Sequence, residues 1–140
     1  REQRLIVFVR VRQQFVVIDF KNPSFVKLAE VSNQEGQEMV GELLIDGEGI
    51  QSSFKGMRDM VIFTNKRLIV VNVQGMTGKK RDYTSLPYSK IQAFSVESAG
   101  SFDRDTELEM YFSGLGKVRL EFNAKFDVKA FNRFLGSYIL

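Results

Sequence analysis

The sequence predicts a mainly β protein: a small seven-stranded barrel plugged by a C-terminal α-helix, with helices ahead of it. Two observations carry this. From Ile50 to Asn123, short apolar runs alternate with turns marked by glycine or asparagine, the pattern of successive strands. Beyond them, Val128, Phe131, Phe134 or Leu135, Tyr138 and Ile139 recur at helical spacing. That broad apolar stripe needs a core to lie on.

Residues 1–20 differ from the rest. Val9, Arg10, Val11 and Arg12 alternate apolar with basic, which suggests a strand. The stretch is either an added edge strand or foreign to the native chain. Asn22-Pro23 is a helix-start signal, with Asn as N-cap and Pro at the first helical position. It predicts a short helix over 23–30. Ser32-Asn33-Gln34-Glu35 reads as a capping box opening a second helix to about Ile45. Met39, Val40, Leu43 and Leu44 share its apolar face. Gly36 and Gly41 weaken it by roughly 1 kcal/mol each relative to Ala. Asp46-Gly47-Glu48-Gly49 ends it. The division is then 1–20 extension, 21–47 helical segment and 48–140 barrel with its helix.

The seven strands fall at about 50–56, 59–64, 67–73, 81–86, 91–97, 106–113 and 117–123. Asn65-Lys66 makes a two-residue hairpin between the second and third, since Asn tolerates positive φ. Gly114-Leu115-Gly116 joins the sixth and seventh. A loop of that length sets Met110 opposite Leu120, Leu108 opposite Phe122, and Glu109 beside Glu121 with Arg119 diagonal to it. Asp127 caps the final helix.

Two local patterns, Thr64-Asn65-Lys66-Arg67-Leu68-Ile69 and Tyr83-Thr84-Ser85-Leu86-Pro87-Tyr88, resemble the bacterial pleckstrin-homology-like domains. The resemblance runs from about Ser32 to the C-terminus. It implies the same barrel-plus-helix fold, and ring-like homo-oligomers.

Composition excludes several chemistries. There is no Cys and no His, hence no disulfide, no thiolate nucleophile and no imidazole ligand. No cofactor is expected, and no metal. Of the net charge of +3, residues 1–20 carry +2 (four Arg against Glu2 and Asp19) and the other 120 carry +1 (16 basic, 15 acidic). A nearly neutral body argues against nucleic acid. The longest apolar runs, Leu5–Val9 and Phe15–Ile18, fall far short of the roughly 20 residues of a membrane-spanning helix. No secretory signal is expected, and the chain reads as cytoplasmic.

Four groups are candidate functional residues. The loop Gly75, Thr77, Gly78, Lys79, Lys80 and Arg81 offers backbone N–H groups and cations to an anion; the blander reading is a solvated hairpin. Pleckstrin-homology domains of eukaryotes bind phosphoinositides through a basic loop between their first two strands, but here that turn, Lys55-Gly56-Met57-Arg58, is short. Asp103, Asp105, Glu107 and Glu109 share one strand face and read first as an outward polar row. Thr64, Asn65 and Arg67 form the hairpin motif, where Arg67 pins the turn to a carbonyl or carboxylate. Val61, Phe63, Leu68, Val70 and Val71 belong to strands apolar on both faces. Such strands need cover on the outer side, either from a second copy of the chain or from the helix at 32–45.

The expected function is a non-enzymatic module that self-associates and binds an unidentified protein or small ligand. The alternative is a peripheral binder of anionic lipid or a phosphorylated ligand through Lys79–Arg81, aided by Arg10 and Arg12.

Overall fold

The computed structural model describes residues 24–97, 106–122 and 128–140. The N-terminal extension, the Asn22-Pro23 signal, Asp103, Asp105 and the Asp127 cap lie outside them. The order is β1 (Ser24–Val31), α1 (Asn33–Val40), a 3-10 turn (Gly41–Leu43), β2 (Ile50–Lys55), β3 (Asp59–Thr64) and β4 (Arg67–Gln74). Then come β5 (Lys80–Pro87), a 3-10 turn (Tyr88–Lys90), β6 (Ile91–Glu97), β7 (Thr106–Phe112), β8 (Gly116–Phe122) and α2 (Val128–Ile139).

The seven expected strands are present as β2–β8, and an eighth precedes them. Together they form one open sheet in the order β5-β4-β3-β2-β1-β8-β7-β6, not a closed seven-stranded barrel. The helix expected over 23–30 is β1. It pairs parallel with β8 through Ser24, Phe25 and Leu28, then antiparallel with β2 through Ala29–Val31. The two pairings meet at an irregularity where Lys27 has φ +57°, the one non-glycine positive φ among the described residues. That kink lets Phe25 and Leu28, three residues apart, both reach the core, where they are 7% and 0% exposed. A three-residue apolar spacing imitates one helical turn. Pairing with two neighbours at once overrides the local cap signal.

α1 starts where expected: the Glu35 N–H donates to Ser32 Oγ at 3.1 Å. The Glu35 carboxylate turns instead to Lys55 Nζ, 3.3 Å away. The helix is shorter than expected, passing into the 3-10 turn at Gly41. Gly36 has a packing reason to be there. A Cβ at Gly36 would stand 2.2 Å from Ser53 Oγ, so only glycine lets α1 lie this close to β2.

The β7–β8 register differs from expectation by two residues. Leu108 faces Leu120, Met110 faces Val118 and Phe112 faces Gly116. A shift of two keeps every apolar side chain on the same face, so alternation alone could not detect it. The turn is tightened by Gly114 (φ +84°) and Gly116 (φ +103°). Glu109 now faces Arg119 directly, while Glu107 faces Glu121, and Arg119 ties both Glu107 and Glu121.

There are two apolar clusters. The larger joins the inner faces of all eight strands to α2. Phe131 of α2 lies 5.5 Å from Phe63 and 5.8 Å from Phe122, both edge-on. Between Phe134 and Leu135, it is Leu135 that is fully buried. The smaller cluster, Val40, Met60, Ile62, Ile69 and Val71, lies between α1 and the outer face of β3 and β4.

Candidate functional site

The smaller cluster settles the two-sided apolar hairpin. Val61, Phe63, Leu68 and Val70 point into the main core, Val71 lies under α1, and all five are 0% exposed. Buried in this way, they present no surface to a second copy of the chain. The apolar surplus of β3 and β4 is covered within the chain by α1, with Val31, Met39, Leu44 and Ile50 packed around it.

At one end of these strands stands a closed polar hub. Thr64 Oγ1 accepts from the N–H groups of Lys66 and Arg67, both at 3.0 Å, and donates to Glu48 Oε2 at 2.6 Å. This side-chain turn, not a positive φ at Asn65, bends the hairpin. Asn65 Oδ1 accepts from Gly49 N at 2.8 Å and its Nδ2 donates to Gly47 O at 2.9 Å. Arg67 clamps the Glu48 carboxylate with two bonds of 2.9 and 3.0 Å. It also donates to Leu43 O and to Ser85 Oγ. Tyr88 Oη donates to Thr64 O at 2.8 Å. The two sequence patterns are thus the two halves of one network.

The Glu48 side chain is 0% exposed. Burial pushes its carboxyl up, but bonds from Arg67, Thr64 and the Ile45 N–H, with the Arg67 charge, outweigh this and hold it at about 2. Burial chiefly, with smaller effects of Tyr138 and Glu48, pushes the Tyr88 phenol well above its usual value. Every polar group of the hub is engaged internally, which makes it a strut. Glu48 was hidden in the sequence because nothing in a loop of Asp and Gly ties it to an Arg 19 residues away.

The opposite end of the same strands is built otherwise. The β2–β3 turn (Gly56-Met57-Arg58) and the β4–β5 loop (Gly75–Lys79) lie side by side, since the Arg58 guanidinium donates to Val73 O at 3.0 Å and Gly75 O at 2.7 Å. Gly75 and Gly78 take φ of +77° and +70°. Met57 and Met76 project outward, 95% and 104% exposed. Thr77 Oγ1 accepts from Lys79 N at 3.4 Å. Lys79, Lys80 and Arg81 are all exposed, but only Lys79 belongs to the loop. Lys80 pairs with Gln74 and Arg81 with Val73, so these two lie on opposite faces of β5. The cations ring the tip rather than converge on one anion. An apolar residue at the centre of each polar turn is the signal that would have found Met57 and Met76.

The carboxylate row does not converge either. Glu107 takes Arg119, and Glu109 takes Lys117 and the Tyr111 hydroxyl. Among the described residues no group of three or more His, Cys, Asp or Glu side chains is placed to hold a metal ion. No described helix is long and apolar enough to cross a membrane.

Comparison with known proteins fits this architecture. The sequence model of the bacterial pleckstrin-homology domain matches residues 19–139. The chain belongs to that family. A pleckstrin-homology protein of Shewanella loihica PV-4 is 39% identical, with a TM-score of 0.66 over 82% of this chain and 99% of that one. A second, from Shewanella amazonensis SB2B, is 38% identical with a TM-score of 0.59 over 80% and 91%. The uncharacterised proteins YjqA and YozO of Bacillus subtilis (strain 168) are 50% and 40% identical over 78 residues. That match is 56% of this chain, 62% of YjqA and 68% of YozO.

Proposed function

We propose that this bacterial pleckstrin-homology domain is a non-enzymatic module that docks on anionic lipid surfaces through the Met57/Met76 tip. The carrying observation is the pair of fully exposed methionines on two turns tied together by Arg58. Stable surface attachment takes two signals, apolar insertion and charge. Each methionine offers roughly 1.5–3 kcal/mol on full burial. Lys79, Lys80 and Arg81 flank them, and each cation near an acidic leaflet adds about 1 kcal/mol. The spread of the cations suits a surface better than a single headgroup. Absence of cysteine is consistent with a cytoplasmic setting.

Co-sedimentation with vesicles of phosphatidylglycerol and phosphatidylcholine tests this. Native protein is expected to bind and to release at high salt. Replacing Lys79, Lys80 and Arg81 by Ala should weaken binding by roughly 10- to 100-fold. Native protein that stays in the supernatant at low salt refutes the reading.

One observation favours a second reading, self-association into a homo-oligomer. The outer face of β6–β8 carries Glu97, Glu107, Glu109 and Glu121 against Lys117 and Arg119, opposite in sign to the tip. A salt-sensitive rise in sedimentation coefficient with concentration would support it, and a monomer at all concentrations would exclude it.

A further inference from the structure

The five methionines divide sharply by environment. Met60 and Met110 are 2% and 0% exposed, and Met39 is partly buried against the α1 cluster. Met57 and Met76 have their thioethers fully in solvent at 95% and 104%. Each follows a glycine, and beside Met76 the structure is open: a Cβ on Gly75 would meet nothing within 4 Å. The chain also has no Cys and no Trp. No thiol is present to take an oxidant first, so the two tip sulfurs are its most reactive reducing groups.

We propose that Met57 and Met76 are sites of reversible oxidation by a peroxide, and that oxidation releases the tip from the bilayer. This rests on the docking reading above. In the step, a sulfur lone pair attacks the near oxygen of the peroxide. The O–O bond breaks, an S–O bond forms, and the proton on the near oxygen passes through solvent to the far oxygen, which leaves as water or an alcohol. Sulfur is oxidised by two electrons and the peroxide reduced by two. The product is a sulfoxide whose dipole opposes insertion into hydrocarbon. Two thiols of a sulfoxide reductase reverse the change, giving thioether, water and a disulfide on that enzyme. The hub at the other end of β3 and β4 contains no sulfur, and the core thioethers of Met60 and Met110 are buried, so the fold is shielded from the reaction.

The test is graded hydrogen peroxide on the whole chain, with peptide mass spectrometry, thermal melting and vesicle co-sedimentation on the same samples. Met57 and Met76 should oxidise at least about tenfold faster than Met60 and Met110. The melting temperature should stay unchanged, while binding to acidic vesicles falls by about tenfold or more. A Met57→Leu/Met76→Leu double variant keeps the apolar area without the thioethers. Whatever its untreated vesicle binding, that binding should not change with peroxide. Equal oxidation of buried and tip methionines overturns the inference, as does full vesicle binding by oxidised protein. Untreated protein that does not bind vesicles sinks the docking reading and this inference with it. Binding that survives oxidation sinks this inference alone.

Discussion

The two ends of the β3–β4 hairpin are opposite in design. At the Thr64–Arg67 end, side chains from the α1–β2 loop, β4, β5 and the following 3-10 turn close on one another and leave the Glu48 side chain with no solvent contact. At the Arg58–Gly75 end, one arginine holds two turns together through backbone carbonyls, and the remaining side chains point outward. Thr64, Arg67, Ser85 and Tyr88, from the two sequence patterns that carry the family resemblance, sit at the closed end. The exposed Met57 and Met76 sit at the open end. On the proposed reading, recognisability and function lie apart in this domain, because the hub residues constrain one another while Met57 and Met76 project into solvent.

The comparison breaks most directly at Arg67. Arg67→Ala leaves the Glu48 carboxylate enclosed without its counter-charge. Removing one partner of a buried pair costs about 3–5 kcal/mol; with Arg67 itself 21% exposed, the lower end is expected. Urea unfolding should show this loss. A change below about 1 kcal/mol would mean the hub is not a strut.

Acid offers a second route to the same bond. Glu48 is held at about 2 in the folded protein against an ordinary 4.5. A lowered carboxyl stabilises the fold above its unfolded value and loses that contribution as pH falls from about 4.5 towards 2. Screening through Arg67 leaves roughly 2 kcal/mol of this. Melts between neutral pH and pH about 3 should show the decline, and in Arg67→Ala it should flatten.

Tyr88→Phe removes one hydroxyl from the hub and leaves the Thr64 carbonyl without that donor. A loss of about 1 kcal/mol is expected by thermal melting. No loss would indicate that Tyr88 contributes only its ring, which packs 5.9 Å from Tyr138.

What the sequence made legible follows from range. β2–β8 and α2 were readable because their signals are local: alternation, turn residues and a helical stripe. Capping by Ser32 was readable for the same reason. β1 was not, because its pairing with β2 and β8 is non-local and its kink at Lys27 disguises the period. The β7–β8 register was not, because a two-residue shift conserves alternation. Cover of the outer hairpin face by α1 stood as one of two alternatives, and the packing of Val40 with Met60, Ile62, Ile69 and Val71 decides it. In the hub Arg67 was visible and Glu48 was not. At the tip the cations were visible, but their division between opposite faces of β5 needed the register of Gln74 with Lys80.

The smallest effect is expected at the open end, and it is the sharpest test of the contrast. Lys79, Lys80 and Arg81 are exposed side chains on the loop and the first residues of an edge strand. Exposed substitutions of this kind usually change stability by less than about 0.5 kcal/mol each. The triple Ala variant should therefore melt close to the native protein while losing vesicle binding. The geometry gives a reason beyond the general rule: the loop is fixed by Arg58 reaching the Val73 and Gly75 carbonyls and by glycine at two positive-φ positions. None of these involves the three cations. A large drop in melting temperature would show that the cations also brace the sheet, and the division between a closed structural end and an open binding end would fail.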